Sequence, residues 1–174
     1  NGDDRVILST SSMMPKYTFG FGFNLGYKGI TLNASFQGIA GVKAYPVGNL
    51  ALPFVNGANA TKEWLTDAWT PQNTGARLPI VTTGVNGSDN FRGSDFWLRD
   101  NSYIRLKNIQ LGYSLPDRWL SKAKISKVNV FINAENLLTF SRYKDFDPET
   151  VLDQTDLYQY PMLKTFNGGI NVTF

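Results

Sequence analysis

Tyr17-Thr18-Phe19-Gly20-Phe21-Gly22-Phe23-Asn24-Leu25-Gly26-Tyr27 alternates without an error. Tyr17, Phe19, Phe21, Phe23, Leu25 and Tyr27 take one face, and Thr18, Gly20, Gly22, Asn24 and Gly26 the other, the period of two that defines a β-strand. The inward face of a soluble sandwich usually mixes Val, Ile and Leu, whereas this apolar face is an aromatic ladder and its reverse is small and polar. Such an inside-out pattern predicts a lipid-facing barrel wall. Ten steps at ~3.3 Å rise ~33 Å, and a ~40° tilt reduces this to ~25 Å, about the height of a barrel's apolar band, with a Tyr at each rim.

Working outward, Lys28-Gly29 predicts a tight turn, and Ile30, Leu32, Ala34 and Phe36 then alternate with Thr31, Asn33, Ser35 and Gln37 as a hairpin partner. The pattern recurs at 102–115, 127–140 and 165–174, giving five strands at about 17–27, 29–41, 102–115, 127–140 and 165–174. In the third, Ile109, Leu111, Tyr113 and Leu115 keep one phase while Ile104 and Leu106 are out of it, which predicts a β-bulge near Lys107. The connections divide by length. Lys28-Gly29 and Pro116–Ile125 are compact, with Asp117 expected to cap a helical turn, whereas 42–101 and 141–164 are long. Bacterial barrels put short turns in the periplasm and long loops outside, so the two long connections are expected to be extracellular. Thr61–Trp69 predicts a short helix that Pro71 stops.

The chain has 174 residues, 42 % hydrophobic and 14 % aromatic, with neither Cys nor His. Catalysis by His or Cys, thiolate metal sites and disulfides are excluded. The net charge of +3 and the absence of an aromatic-basic motif argue against a nucleic-acid partner. No apolar run suits a membrane helix, and Asn1-Gly2-Asp3-Asp4-Arg5 does not read as a signal peptide. Five strands cannot close a membrane barrel, which takes roughly eight or more, so the chain is expected to be a piece of a larger wall.

Candidate site residues lie in the long loops. Trp64, Trp69 and Trp97 offer flat aromatic faces, and Arg77, Arg92, Phe146 and Tyr158 stand in the same loops. Aromatic anchors beside Arg are the mixture that binding hot spots favour, and packing of the loop onto itself accounts for the Trp residues equally well. Asp145, Asp147 and Glu149, followed by Asp153 and Asp156, form an acidic run whose readings are a solvated loop, a weak Ca²⁺ site or a carboxylate pair for glycoside hydrolysis. The solvated loop is the expectation. No catalytic residue, resident metal or cofactor is expected. Phe166, Ile170, Val172 and Phe174 form an aromatic-ended last strand, which reads as one more piece of wall and also resembles the signal that the assembly machinery of outer-membrane barrels reads, and both can hold together.

Several ordered motifs carry a resemblance. Ser94-Asp95-Phe96-Trp97-Leu98-Arg99-Asp100-Asn101-Ser102-Tyr103-Ile104-Arg105-Leu106-Lys107-Asn108-Ile109-Gln110-Leu111-Gly112-Tyr113-Ser114-Leu115-Pro116 resembles the C-terminal barrel region of SusC/RagA-type TonB-dependent outer-membrane transporters. So do Asn136-Leu137-Leu138-Thr139-Phe140, Tyr143-Lys144-Asp145-Phe146-Asp147-Pro148-Glu149 and the ending from Tyr160-Pro161 to Asn171-Val172-Thr173-Phe174. Pro15 to Gly20, Phe36-Gln37-Gly38, Trp69-Thr70-Pro71 and Ala76-Arg77-Leu78-Pro79 fit the same template.

The resemblance implies an all-β fold, about the last five strands of a plugged, antiparallel transmembrane β-barrel of roughly twenty-two. It implies a nutrient importer in the outer membrane of a Gram-negative bacterium, taking up glycan or peptide fragments with a SusD-like surface lipoprotein and energised by TonB. The plug and the TonB-contacting segment would lie outside these residues. The implied partners are the rest of the barrel and plug, the lipoprotein, TonB, outer-membrane lipid and the barrel assembly machinery. Two other readings stand beside it: a structural or assembly fragment without transport of its own, and a soluble carbohydrate-binding β-sandwich, which needs the Tyr17–Tyr27 ladder buried between sheets.

Overall fold

The computed structural model describes residues 6, 14–45, 48, 52–82, 89–92, 94–121, 125–144, 146–149, 160 and 162–174. The aromatic ladder is strand β1 (Tyr17–Tyr27), and β2 (Ile30–Ala40) returns antiparallel to it, with Phe21 opposite Phe36 and Leu25 opposite Leu32. Lys28 and Gly29 both have positive φ, 46° and 85°, the geometry of a two-residue turn whose twist matches the strands it joins. A two-residue ribbon, β3 (Lys43–Ala44) with β4 (Arg99–Asp100), closes the neck of the long connection. Three more long strands follow, β5 (Tyr103–Ser114), β6 (Lys127–Ser141) and β7 (Thr165–Thr173). The wall is one antiparallel sheet in the order β1-β2-β5-β6-β7. Each strand therefore runs beside its neighbour in the chain, both short turns lie at one end, and both long connections leave from the other.

The register puts side chains on the two faces as the alternation demands. Ile30, Leu32 and Ala34 pair with Tyr113, Leu111 and Ile109, which pair in turn with Val130, Ile132 and Ala134. The opposite face carries Thr31, Asn33 and Ser35 beside Gly112, Gln110 and Asn108. Among the described residues, no second layer covers the apolar face. Exposure along the ladder runs from 40 % at Phe19 to 69 % at Tyr27, so the sandwich reading, which needs these side chains buried, is overturned. Two close cross-strand pairs place a ring over a glycine: Phe19 over Gly38 on the apolar face and Phe131 over Gly169 on the polar one. A Cβ at either glycine would meet the ring.

The expected bulge lies at Lys107. Ser35 and Phe36 of β2 pair with Asn108 and Leu106, leaving Lys107 extra, and β6 places Asn136 and Leu137 opposite that same step. Asn136 takes a left-handed φ of 53° there.

The aromatic core lies outside the sheet, in the loop between β2 and β5. Trp64, Ala68, Leu78 and Trp97 are buried together, with Tyr45, Leu52, Ala60, Val81 and Phe91 packed around them. Helix α1 (Lys62–Asp67) supplies Trp64. It ends four residues before Pro71, so Pro71 is not its stop. Instead, the Leu78 N–H donates to the Asp67 carbonyl and the Trp69 N–H to the Leu78 carbonyl, drawing the chain into a parallel bridge between Ala68 and Leu78. Asp117 likewise is not a cap. It is the first residue of helix α2 (Asp117–Leu120), Pro116 stands at the N-cap, and the Trp119 N–H donates to the Pro116 carbonyl. Among the described residues, no helix is long and apolar enough to cross a membrane.

Candidate functional site at the loop end of the wall

Two clusters meet where the long connections leave the sheet. The first is the aromatic core. The Trp64 and Trp97 ring centroids are 6.1 Å apart, and Phe91 lies 5.9 Å from one and 5.7 Å from the other. The Trp97 indole N–H donates to the Asn90 carbonyl over 3.1 Å. Trp64 and Trp97 are only 3 % and 4 % exposed, so they brace the loop from within and present no face to a ligand or partner. That corrects their expected role. Trp69, 38 % exposed, does reach the surface and lines a groove of about 410 Å³ with Pro79, Ile80 and Phe96. Arg77 borders the same groove, and its guanidinium clamps α1 by pairing with Glu63 and Asp67. The Arg77 backbone N–H also donates to Asp67 Oδ1 over 3.1 Å.

The second cluster is ionic. Arg105 projects from β5 on the polar side, paired in register with Gln37 and Thr139, and is 1 % exposed. Its Nη2 donates to Asp147 Oδ1 over 2.7 Å, and its Nη1 lies 3.3 Å from Glu149 Oε1. Lys107 Nζ stands 2.9 Å from the same Oε1 and 3.1 Å from Oε2. The Glu149 N–H donates to Asp147 Oδ1, which folds Asp147-Pro148-Glu149 into a compact turn. Asn101 Nδ2 donates to the Pro148 carbonyl over 2.9 Å, tying the neck of one loop to the other.

Asp147 and Glu149 are therefore not a solvated run, which corrects the expectation for them. Each carboxylate faces a cation rather than a second acid, so the pair lacks the arrangement that glycoside hydrolysis requires. The oxygens that a Ca²⁺ would need are likewise turned to Arg105 and Lys107, and among the described residues no three acidic side chains gather to hold a metal ion. Asp145, Asp153, Asp156 and Tyr158 lie outside the described residues.

Above this cluster, Asp100 accepts from Ser102 Oγ at 2.6 Å and from the Ser102 N–H at 3.1 Å. The Ser102 bond, with Lys43 and Arg142 nearby, holds the Asp100 carboxyl below the usual aspartate range. Tyr143 and Ala44 form a small buried pair, against which Phe146 packs half-buried. Arg92 is exposed. Phe166, Ile170 and Val172 are exposed along β7, an edge strand of the sheet, and Phe174 is exposed just beyond it.

Sequence reasoning missed Arg105, Lys107 and Asn101 as site residues. The available signal was the phase break at Lys107, which reverses the face of every residue before it.

An open antiparallel wall with an uncovered apolar face, a polar reverse and long loops at one end defines a segment of a β-barrel of the outer-membrane class. No family model matches the chain. It is 31 % identical over 182 residues to TonB-dependent receptor P3 of Formosa agariphila, covering 98 % of this chain and 17 % of that protein. TonB-dependent receptor P26 of the same organism is 29 % identical over 186 residues, covering 99 % and 18 %. The TonB-dependent receptor SusC of Bacteroides thetaiotaomicron is 32 % identical over 120 residues, covering 68 % and 12 %. Among solved structures, the RagAB peptide transporter aligns with a TM-score of 0.70 at 30 % identity, over 94 % of this chain and 18 % of that one. The RagAB peptide importer in its open-open state aligns with 0.68 over the same shares. The chain belongs to the SusC/RagA-type TonB-dependent receptors as a barrel segment, and spans about a sixth of the length of the curated relatives P3 and P26. The curated relatives are TonB-dependent receptors by name, and the matched solved structures are of a peptide importer.

Proposed function

We propose that this segment is part of the wall and two loops of a nutrient importer that takes up glycan or peptide fragments through the outer membrane with a SusD-like lipoprotein. The observation that carries this reading is the match over 98 % of the chain to a TonB-dependent receptor, joined to a fold that aligns with a peptide importer. The chain brings no chemistry of its own. Its Tyr17–Tyr27 ladder faces lipid, and the loops at 42–101 and 141–164 face outward. Recognition falls to loop residues: Trp69, Arg77 and Arg92, which are exposed, with Phe146 and Tyr158. Plug and TonB contacts belong to parts of the receptor beyond these residues. Phe166, Ile170, Val172 and Phe174 are read by the assembly machinery. Uptake of labelled oligosaccharides and of labelled peptides by cells carrying the full-length receptor and its lipoprotein tests the reading. TonB-dependent uptake of one class is expected, and uptake of neither, or uptake indifferent to TonB, overturns it.

A further inference from the structure

The bulge at Lys107 decides which side of the wall Arg105 occupies. Towards Ser114, the even-numbered residues of β5 line the polar face. Carried on without interruption, that alternation would put Lys107 and Arg105 on the apolar side, beside Phe36. The extra residue reverses the phase, so Leu106 pairs with Phe36 and Arg105 with Gln37. Both cations then point to the polar side, where the turn Asp147-Pro148-Glu149 receives them. Next to it on β6, Asn136 donates Nδ2 to the Leu163 carbonyl over 3.1 Å. The connection between β6 and β7 is thus tied near both of its ends, each time at a bulged step of the wall.

We propose that Arg105 is the positioning residue of this connection: buried on the polar side of the wall, it fixes the segment around Asp147 and Glu149 against the sheet. An incoming ligand then meets a preset surface instead of a free arm. The role of that surface rests on the importer reading, whereas the anchoring itself does not. The energetic reason is the buried charge. Arg105 without Asp147 and Glu149 would be a buried cation lacking its counter-charges, and the segment released from it regains the freedom that ordering took away.

Limited trypsin digestion of the full-length receptor, purified in detergent and with the cut sites located by mass spectrometry, tests this. Arg142 and Lys144 are exposed and flank the anchored turn, and a protease needs the segment to leave the wall before it can cut. The double variant Asp147→Asn with Glu149→Gln, and separately Arg105→Leu, should raise the cleavage rate at Lys144 tenfold or more. Arg105→Lys keeps the charge without the two-pronged guanidinium and should fall between parent and Arg105→Leu. Deleting Lys107 should match Arg105→Leu. Unchanged cleavage in the double variant overturns the proposal, and because that variant alters only loop residues, it decides the matter even if Arg105→Leu fails to assemble. Absence of uptake by the unaltered receptor would overturn the importer reading and leave the anchor standing.

Discussion

Arg105 Nη2 lies 2.7 Å from Asp147 Oδ1, a contact between strand β5 and a turn 42 residues further along the chain, made by a side chain that is 1 % exposed. It joins the wall to the β6–β7 connection through a bond that neither part makes alone. The aromatic core around Trp64 and Trp97, by contrast, holds the β2–β5 loop together from within. Together they make the loop end a built surface, and the wall below it supplies the fixed points.

Trp64→Ala should loosen the loop and leave the wall intact. Truncating a buried Trp costs about 3–5 kcal/mol of the structure that contains it, and that structure is the loop core. Faster proteolysis at Lys62 or Arg77, with unchanged heat-modifiable migration of the barrel, is the expected result.

Trp69→Ala should do the opposite. Its ring is partly exposed at the groove, so proteolysis stays at the parent rate. If Trp69 is an anchor, affinity for ligand or lipoprotein falls about thirtyfold, the equivalent of ~2 kcal/mol. Titration of the purified receptor with each binding partner reads this directly, and unchanged affinities for both remove Trp69 from the recognition surface.

The faces of β1 are separable by charge. Phe21→Arg should cost about 2–4 kcal/mol, because it sets a cation on the ladder beside Phe36, whereas Asn24→Arg places one on the polar face. Gly22 is a poor comparator, since a Cβ there would come 2.8 Å from the Ala34 carbonyl oxygen. Unfolding midpoints of the full-length receptor in lipid vesicles should follow the order parent, Asn24→Arg, Phe21→Arg. Equal losses would reverse the face assignment.

Gly38→Ala should destabilise by about 1–3 kcal/mol, as expected for overpacking. The added methyl would sit 2.6 Å from the Tyr103 carbonyl oxygen and 2.5 Å from Phe19 Cζ, and the backbone oxygen cannot swing away. Gly26→Ala, which meets nothing within 4 Å, is the control and should leave the same thermal midpoint unchanged.

Asp100 makes the β4–β5 junction acid-sensitive. Its folded-state pKa lies below the ordinary value, so its stabilisation is complete above that value and is lost as pH falls through the folded one. Protection of the Ser102 region against hydrogen exchange, corrected for intrinsic rates, should therefore drop below about pH 4. Asp100→Asn should abolish that drop.

The five strands, their two faces and the place of the bulge were legible in the sequence, because alternation is local. Each residue of Tyr17–Tyr27 declares its face by its own polarity, and the phase clash between Leu106 and Ile109 marks the extra residue without reference to any partner. The loops were legible only as lengths and compositions. Whether Trp64 presents its ring or buries it depends on Phe91 and Trp97, far along the chain, and the end of α1 depends on Leu78 more than on Pro71. The acidic turn reads as solvated until β5, with Lys107 extra in its ladder, brings Arg105 against it. Periodicity records which way a side chain points along its own strand. Which distant group waits there is settled by the packing of segments with no repeat in common, and only the tertiary structure decides it.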